Sequence, residues 1–464
     1  MATAEPLAAQ LAAVLTQRWG QPVAVEQLHR LSGGASRETW SFTARAGSEA
    51  TRLILRRDPP GVPTERSMAH EAQVLAAAAR AGVPVPRLFA HGDGSDGLDS
   101  NYMLVAHLDG ETIPRRLLRD ERLADARKGL TAELGRVLAR IHSIPLAELP
   151  ELAGGDALAT LRATHEQFGE PRPALELAFR WLAENRPERP AERLVHGDFR
   201  NGNLIIGPDG LVAVLDWELA HRGDPVQDLG WLCVKAWRFG AGAPVGGFGD
   251  RDELLDGYAE VAGWRPSEQA LHWWEVFGTT HWAVICRQQA QRHLSGAEDS
   301  VEMAVLGRRI CESEHDALLA LGLTEPRTVA DPLDPGVGSA VADPAAEASP
   351  HDRPSVDELL AASAGFLRQD VVNAQVEDRL RFHARVAANA LTIARRELRV
   401  GPEQRRAHRA RLSALGCADD RELVAAIRSG SLDERWPEVL DAVRELTVAK
   451  LTVANPRYLA APAS

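Results

Sequence analysis

The chain has 464 residues, 45% of them hydrophobic and 25% charged, with a formal net charge of −12. That length allows two or three domains with substantial cores, and the acidic balance argues against nucleic-acid binding, which needs a basic surface to release counterions. No run approaches 18 uninterrupted apolar residues, so no membrane span is expected; four cysteines without a C-x-x-C pair argue against a disulfide framework or structural zinc and fit a reducing cytoplasm.

Residues 1–20, MATAEPLAAQLAAVLTQRWG, lack a basic n-region and a long apolar core and predict an amphipathic helix with no signal peptide. Residues 24–60 read as short strands around a glycine-containing turn, and residues 66–82 as a helix. The stretches VPRLFAHG and NYMLVAHL read as further strands. From about residue 115 the pattern is mostly helical, interrupted by one hairpin. The expectation is therefore an α+β protein, a small β-rich lobe followed by a larger, mainly helical one.

Six prolines and no periodicity between Thr324 and Pro354 predict an extended, mobile linker. Beyond it, residues 355–464 read as a small all-α bundle. Ser355-Val356-Asp357-Glu358 has capping-box form, with Leu359, Leu360 and Leu367 following at near-helical spacing. A second helix sets Leu380, Val386, Ala387, Ala390, Leu391, Ala394 and Leu398 on one side, and a third starts after Asp419 and ends before Gly430.

The richest stretch is HGDFRNGNLIIGPDGLVAVLDWE, His196 to Glu218. Leu204-Ile205-Ile206 and Leu211 to Leu215 are strand-like, and Gly207-Pro208-Asp209-Gly210 between them is a turn signal. A hairpin brings Asn203 beside Asp216 although they are 13 positions apart. An amide oxygen and a carboxylate there suit a hard divalent cation such as Mg²⁺. Asp198, in the tight loop before the hairpin, can orient or deprotonate a hydroxyl. Those are the parts phosphoryl transfer requires.

H-G-D-F-R-N-G-N resembles the catalytic loop H-x-D-x-x-x-x-N of the protein-kinase-like fold, in the HGD form of the aminoglycoside phosphotransferases and their relatives. Asp216-Trp217-Glu218 resembles their metal-binding D-x-E. The resemblance covers roughly residues 20–320 and implies a bilobal protein-kinase-like fold: a nucleotide-binding N-lobe at 1–108, a catalytic and acceptor-binding C-lobe at 109–323, the linker at 324–354 and the helical domain at 355–464. It implies further site residues. Ser32, Gly33 and Gly34 would face nucleotide phosphates through backbone N–H groups, although a plain hairpin turn explains a lone GG as well. Arg56, with Arg57 as neighbour, stands where the fold's nucleotide-binding lysine is expected, and Glu71 where its helix glutamate is. Backbone groups from Val105 to His107 would meet adenine. Asp198 would be the catalytic base, Asn203 and Asp216 the metal ligands, and Asp228 a support of the catalytic loop.

The implied activity is ATP- and Mg²⁺-dependent phosphorylation of a small-molecule hydroxyl. LVHGDFRNGNLII, VLDWELAHRGDP and the WRFG to PVGGFG stretch are most similar to the branch joined to, or encoded with, acyl-CoA dehydrogenases, which implies a hydroxyacyl-CoA acceptor and a functional association with such an enzyme. Two other classes remain. Arg56 in place of lysine fits a non-catalytic nucleotide-binding scaffold, and HGD and GN fragments also occur in metal-dependent phosphohydrolases, which would need more histidine ligands than this chain shows. His142 reads as packed or capping, His196 as orienting the catalytic loop, and Pro244 to Gly249 as a loop. Trp273, Trp274, Phe277 and Trp282 read as core, or as an acceptor-pocket wall by resemblance. The arginines between Arg379 and Arg411, interleaved with acids, read as a solvated helical surface.

Overall fold

The computed structural model describes residues 4–31, 37–59, 68–188, 190–334 and 355–461. The expectations for Ser32, Gly33, Gly34 and the linker from 335 to 354 fall outside those residues. Packing divides the chain into two compact units, Met1–Gly155 with Glu188–Trp274, and Asp156–Pro187 with Glu275–Ser464.

The first unit opens with the helix Ala4–Trp19. Then come β1 (Ala24–Arg30), β2 (Glu38–Ala46), β3 (Glu49–Arg57), the helix Met68–Arg80, β4 (Leu88–Gly92) and β5 (Tyr102–Ala106). The strands form one antiparallel sheet of order β1-β2-β3-β5-β4. Leu7, Leu11, Val14 and Leu15, at helical spacing, bury one face of the first helix against Trp40, Phe42, Leu53, Leu55 and Leu104. Side chains alternate across a strand, so Leu53 and Leu55 in this core leave Arg56 on the opposite face of β3.

The rest of that unit carries the hairpin. The helices Ala124–His142 and Arg251–Ala262 lie against each other through Gly135 and Gly257. A Cβ at Gly135 would collide with the Leu254 carbonyl oxygen, and one at Gly257 with that of Ala132. Next to them are β6 (Arg193–Val195), β7 (Leu204–Gly207), β8 (Gly210–Val214) and β9 (His221–Gly223). β7 pairs with β8 and β6 with β9, both antiparallel. The inner hairpin turns at Pro208-Asp209, as its sequence predicts, and the outer ribbon returns the chain to the catalytic-loop segment.

The second unit has no strand among its described residues. It gathers the helices Ala157–Glu166, Pro173–Glu184, the Glu268–Leu294 helix from Glu275 onward, Val301–Arg308, Ile310–Ala320, Val356–Phe366, Asp378–Leu415, Asp420–Ser429 and Trp436–Ala454. The expected capping box is present, with Ser355 Oγ accepting from Glu358 N–H and Glu358 reaching back to Ser355 N–H. Asp419 caps the Asp420–Ser429 helix, and Gly430 at φ +74° ends it. One core joins Ala174, Leu177 and Leu318 to Leu412, Leu415, Leu423, Ile427, Val439 and Val443. The helices beyond the proline-rich stretch therefore share their core with helices that precede it. Residues 324–334 are packed: Arg327 N–H donates to Leu459 O at 2.7 Å, and Asp331 pairs with Arg396 at 2.6 Å. No helix of the described residues is long and apolar enough to cross a membrane.

Candidate active site

The loop from His196 to Asn203 is held by a buried carboxylate. Asp228, fully enclosed on the helix Val226–Cys233, accepts from the N–H of His196 at 2.7 Å, from that of Gly197 at 2.9 Å and from His142 Nε2 at 3.1 Å. Burial alone would raise its pKa, but the hydrogen bonds from His142 and from the His196 backbone hold it below the usual carboxylate range. Tyr258 donates to His142 Nδ1 at 3.1 Å and so orients the ring. His142 is thus packed and positioned, and Asp228 supports the loop, as expected. Gly197 sits at φ +84°, where a Cβ would collide with the Leu219 carbonyl oxygen. His196 Nδ1 accepts from Asp198 N–H at 3.2 Å, which leaves Nε2–H to donate to Leu215 O at 3.0 Å.

That last bond joins the loop to the far strand of the hairpin. Leu215 N–H donates to Asn203 O at 2.8 Å, so Asn203 lies opposite the residue preceding Asp216. The Asn203 amide spends its hydrogens on Asp198, at 2.9 Å to the carbonyl and 2.6 Å to Oδ2. The Asp198 Oδ1 accepts from Arg200 Nε at 2.8 Å and from Trp231 Nε1 at 2.9 Å. Asp216 occupies left-handed backbone at φ +63°, a strained conformation for a residue with a Cβ. Asp198 and Asn203 are thus in contact, and the backbone ladder carries Asp216 to the same hairpin end.

Arg56 closes the site from the sheet. Its Nη2 lies 2.9 Å from Asp216 Oδ1, and its Nη1 bonds Glu71 Oε1. Glu71, 2% exposed, is therefore a paired carboxylate rather than a solvated one. Arg57 pairs instead with Glu38 at 2.7 Å, which separates the two adjacent candidates. At the strand end the outcome is different: Ala106 N–H is used by Arg87 O at 2.9 Å and His107 N–H by Arg52 O at 3.0 Å, while Val105 is 6% exposed within the ladder. The N–H groups of Ala106 and His107 are thus already engaged within the sheet.

The oxygen set suits Mg²⁺. With its NH₂ turned to Asp198, Asn203 presents Oδ1 away from it, and Asp216 adds a carboxylate. Among the described residues no three His, Cys, Asp or Glu cluster to form an all-protein metal cage, and Mg²⁺ takes one or two protein oxygens with phosphates and water completing its shell. Acid also outweighs base here: Asp58, Glu71, Asp216 and Glu218 surround two arginines, Arg37 and Arg56. Burial and the neighbouring Asp216 push the Glu218 carboxyl up.

Three residues escaped sequence reasoning. Arg200 lay inside the quoted motif, and its guanidinium stacks over Trp237 at 4.4 Å. Trp231 and Arg37 stand far from the motif in sequence and carry no local signal. Nearby, Asn201 Nδ2 donates to Gly246 O at 2.5 Å and ties the Pro244 to Gly249 loop to the catalytic loop. Trp273, Trp274 and Phe277 are buried core side chains and Trp282 is half-buried.

A family model described as a phosphotransferase enzyme family matches residues 27–264, and a domain of unknown function, DUF6285, matches residues 374–458. Acyl-CoA dehydrogenase family member 10 of Mus musculus is 31% identical over 217 residues, covering 43% of this chain and 20% of its own length. Member 11 of Gallus gallus is 29% identical over 228 residues, covering 46% and 28%. The chain thus spans about a fifth to just over a quarter of the curated relatives it matches. A Ralstonia eutropha structure classed with the aminoglycoside phosphotransferases aligns at 20% identity with a TM-score of 0.54, covering 68% of this chain and 98% of that one. That likeness is one of fold, and the expected kinase-like α+β architecture is borne out.

Proposed function

The chain belongs to the phosphotransferase enzyme family, and on that premise we propose that it transfers the γ-phosphoryl group of ATP to a hydroxyl of a small-molecule acceptor. One observation carries the reading: Asp198 is held at 2.6 Å by Asn203, whose backbone is bonded to the residue preceding Asp216. Asp198 orients the acceptor hydroxyl and takes its proton as the acceptor oxygen bonds to the γ-phosphorus and the bond to the β–γ bridging oxygen breaks, with ADP leaving. Asn203 Oδ1 and the Asp216 carboxylate would hold Mg²⁺, which supplies positive charge against the phosphate oxygens. Arg56 turns from Asp216 to a phosphate while Glu71 keeps its orientation; its planar fork suits phosphate geometry. Arg200, Trp231 and Asn203 fix both Asp198 oxygens before substrate arrives, so little reorganisation remains for the chemical step.

For the acceptor we propose a hydroxyacyl-CoA thioester, and for the partner an acyl-CoA dehydrogenase-type enzyme. The names of the curated relatives support both. A cytoplasmic site of action fits the four buried free cysteines. The Arg56–Asp216 pair favours one competing reading, a nucleotide-binding scaffold without turnover, because it occupies a metal-ligand oxygen. An ADP-release screen with Mg²⁺·ATP and hydroxyacyl-CoAs, sugars, choline and aminoglycosides separates the two. Hydroxyacyl-CoA-dependent ADP formation, lost in Asp198→Asn, is the expected result. Nucleotide binding with no acceptor phosphorylated would favour the scaffold, and phosphate release from esters without ATP would end the kinase reading.

A further inference from the structure

Arg37 has no part in the mechanism above, yet it is buried at the centre of the site's charges. Its side chain is 5% exposed and meets three carboxylates. Nε lies 3.2 Å from Asp58 Oδ1 and Nη1 3.4 Å from Glu218 Oε2, while Nη1 also bonds Glu71 Oε2. Asp58 is itself fixed: its Oδ2 accepts from Asn101 Nδ2 at 3.0 Å, and its N–H donates to Asn101 O at 3.0 Å. The chain of contacts therefore runs from the residue before β5, through Asp58 and Arg37, to Glu71 on its helix and Glu218 beyond the hairpin.

Glu71 is the pivot. It gives Oε1 to Arg56 and Oε2 to Arg37. A carboxylate this buried needs a cation at all times, because an uncompensated buried charge is strongly unfavourable. Were Arg56 its sole partner, each turn of Arg56 from Asp216 toward a phosphate would unsettle Glu71. With Arg37 on the second oxygen, Glu71 stays neutralised and oriented in both positions. Arg37 also restrains Glu218, two residues past the Asp216 ligand.

We propose that Arg37 is a positioning residue for nucleotide binding: it neutralises Glu71 and anchors Glu218, so that Arg56 can exchange Asp216 for a nucleotide phosphate. The inference rests on the nucleotide-binding reading above and adds to it a second cation that never touches substrate.

The test is titration of the full chain with N-methylanthraniloyl-ATP, with and without Mg²⁺, for the wild type, Arg37→Met and Arg37→Lys, alongside thermal unfolding. Arg37→Met is expected to weaken Mg²⁺·nucleotide binding about tenfold or more, and Arg37→Lys, which keeps the charge but reaches fewer carboxylates, to recover part of the loss. A purely structural role would lower the unfolding midpoint and leave the Kd of the folded fraction unchanged, which overturns the proposal. Should Arg37→Met not fold, Arg37→Lys decides alone: a Kd raised severalfold supports the proposal and a wild-type Kd overturns it. Absence of nucleotide binding by the wild type would remove the kinase reading and this inference together, whereas tight wild-type binding with indifferent variants removes only the inference.

Discussion

Asp198 has both carboxylate oxygens engaged in the structure, Oδ1 by Arg200 and Trp231 and Oδ2 by Asn203. Each donor narrows the rotamers available to the Asp198 carboxylate, so, on the proposed mechanism, each deletion should act on turnover more than on nucleotide affinity. Trp231→Phe removes one N–H donor to a charged acceptor, worth about 1.5 kcal/mol, and kcat should fall about tenfold in steady-state assays. An unchanged kcat would show that Arg200 and Asn203 suffice. Gly197→Ala tests the backbone: at φ +84° with the Leu219 carbonyl in the way, the methyl should cost about 2 kcal/mol or more in urea unfolding. At this scale the motif was legible where chemistry and spacing coincide, at Asp198, Asn203 and Asp216. Arg37 and Trp231 were not, because an arginine after a Gly-Gly stretch and a tryptophan in a helix look the same whether or not a carboxylate lies opposite.

Elements in the second unit meet through buried ion pairs that no periodicity announces. Glu314, fully buried on Ile310–Ala320, is bonded by Arg172 at 3.0 Å and by Lys450 at 2.9 Å. Burial by itself would raise its pKa; Lys450 and Arg172 more than offset that and hold the carboxyl at about 2. Because the folded value lies below the unfolded one of 4.5, the stabilisation is complete above roughly pH 5 and is lost as pH falls toward 2. Urea midpoints measured across that window should fall steeply for the wild type. Glu314→Gln, by contrast, should be less stable at pH 7 by about 2 kcal/mol, having left two partly exposed cations short of a buried partner, with a flatter acid limb. Parallel curves for the two proteins would contradict this assignment. Glu176, also buried, bridges Arg162 at 2.8 Å and Arg428 at 3.0 Å in the same way.

Across the whole molecule, the kinase-like order of elements could be read from the sequence because each carried a local signal: alternation in the strands, Gly-Pro-Asp-Gly at the hairpin, Asp419 and Gly430 at one helix's ends. The grouping of helices could not. An apolar stripe on Trp436–Ala454 says that something covers it, and only tertiary packing reveals that Leu412, Val439 and Val443 share a core with Ala174, Leu177 and Leu318. Removal of residues 355–464 should therefore raise hydrogen exchange in Pro173–Glu184 and Ile310–Ala320, and unchanged protection there would refute the shared core. Transfer through Asp198 is tested by a single-turnover experiment. With enzyme in excess over Mg²⁺·ATP and a hydroxyacyl-CoA present, the wild type should form one phosphorylated acceptor per ADP, resolved by mass spectrometry. Asp198→Asn should bind the nucleotide with similar affinity and turn over some 10²–10⁴ times more slowly. Equal rates for the two proteins, or ADP formed without phosphorylated acceptor, would exclude Asp198 as the base.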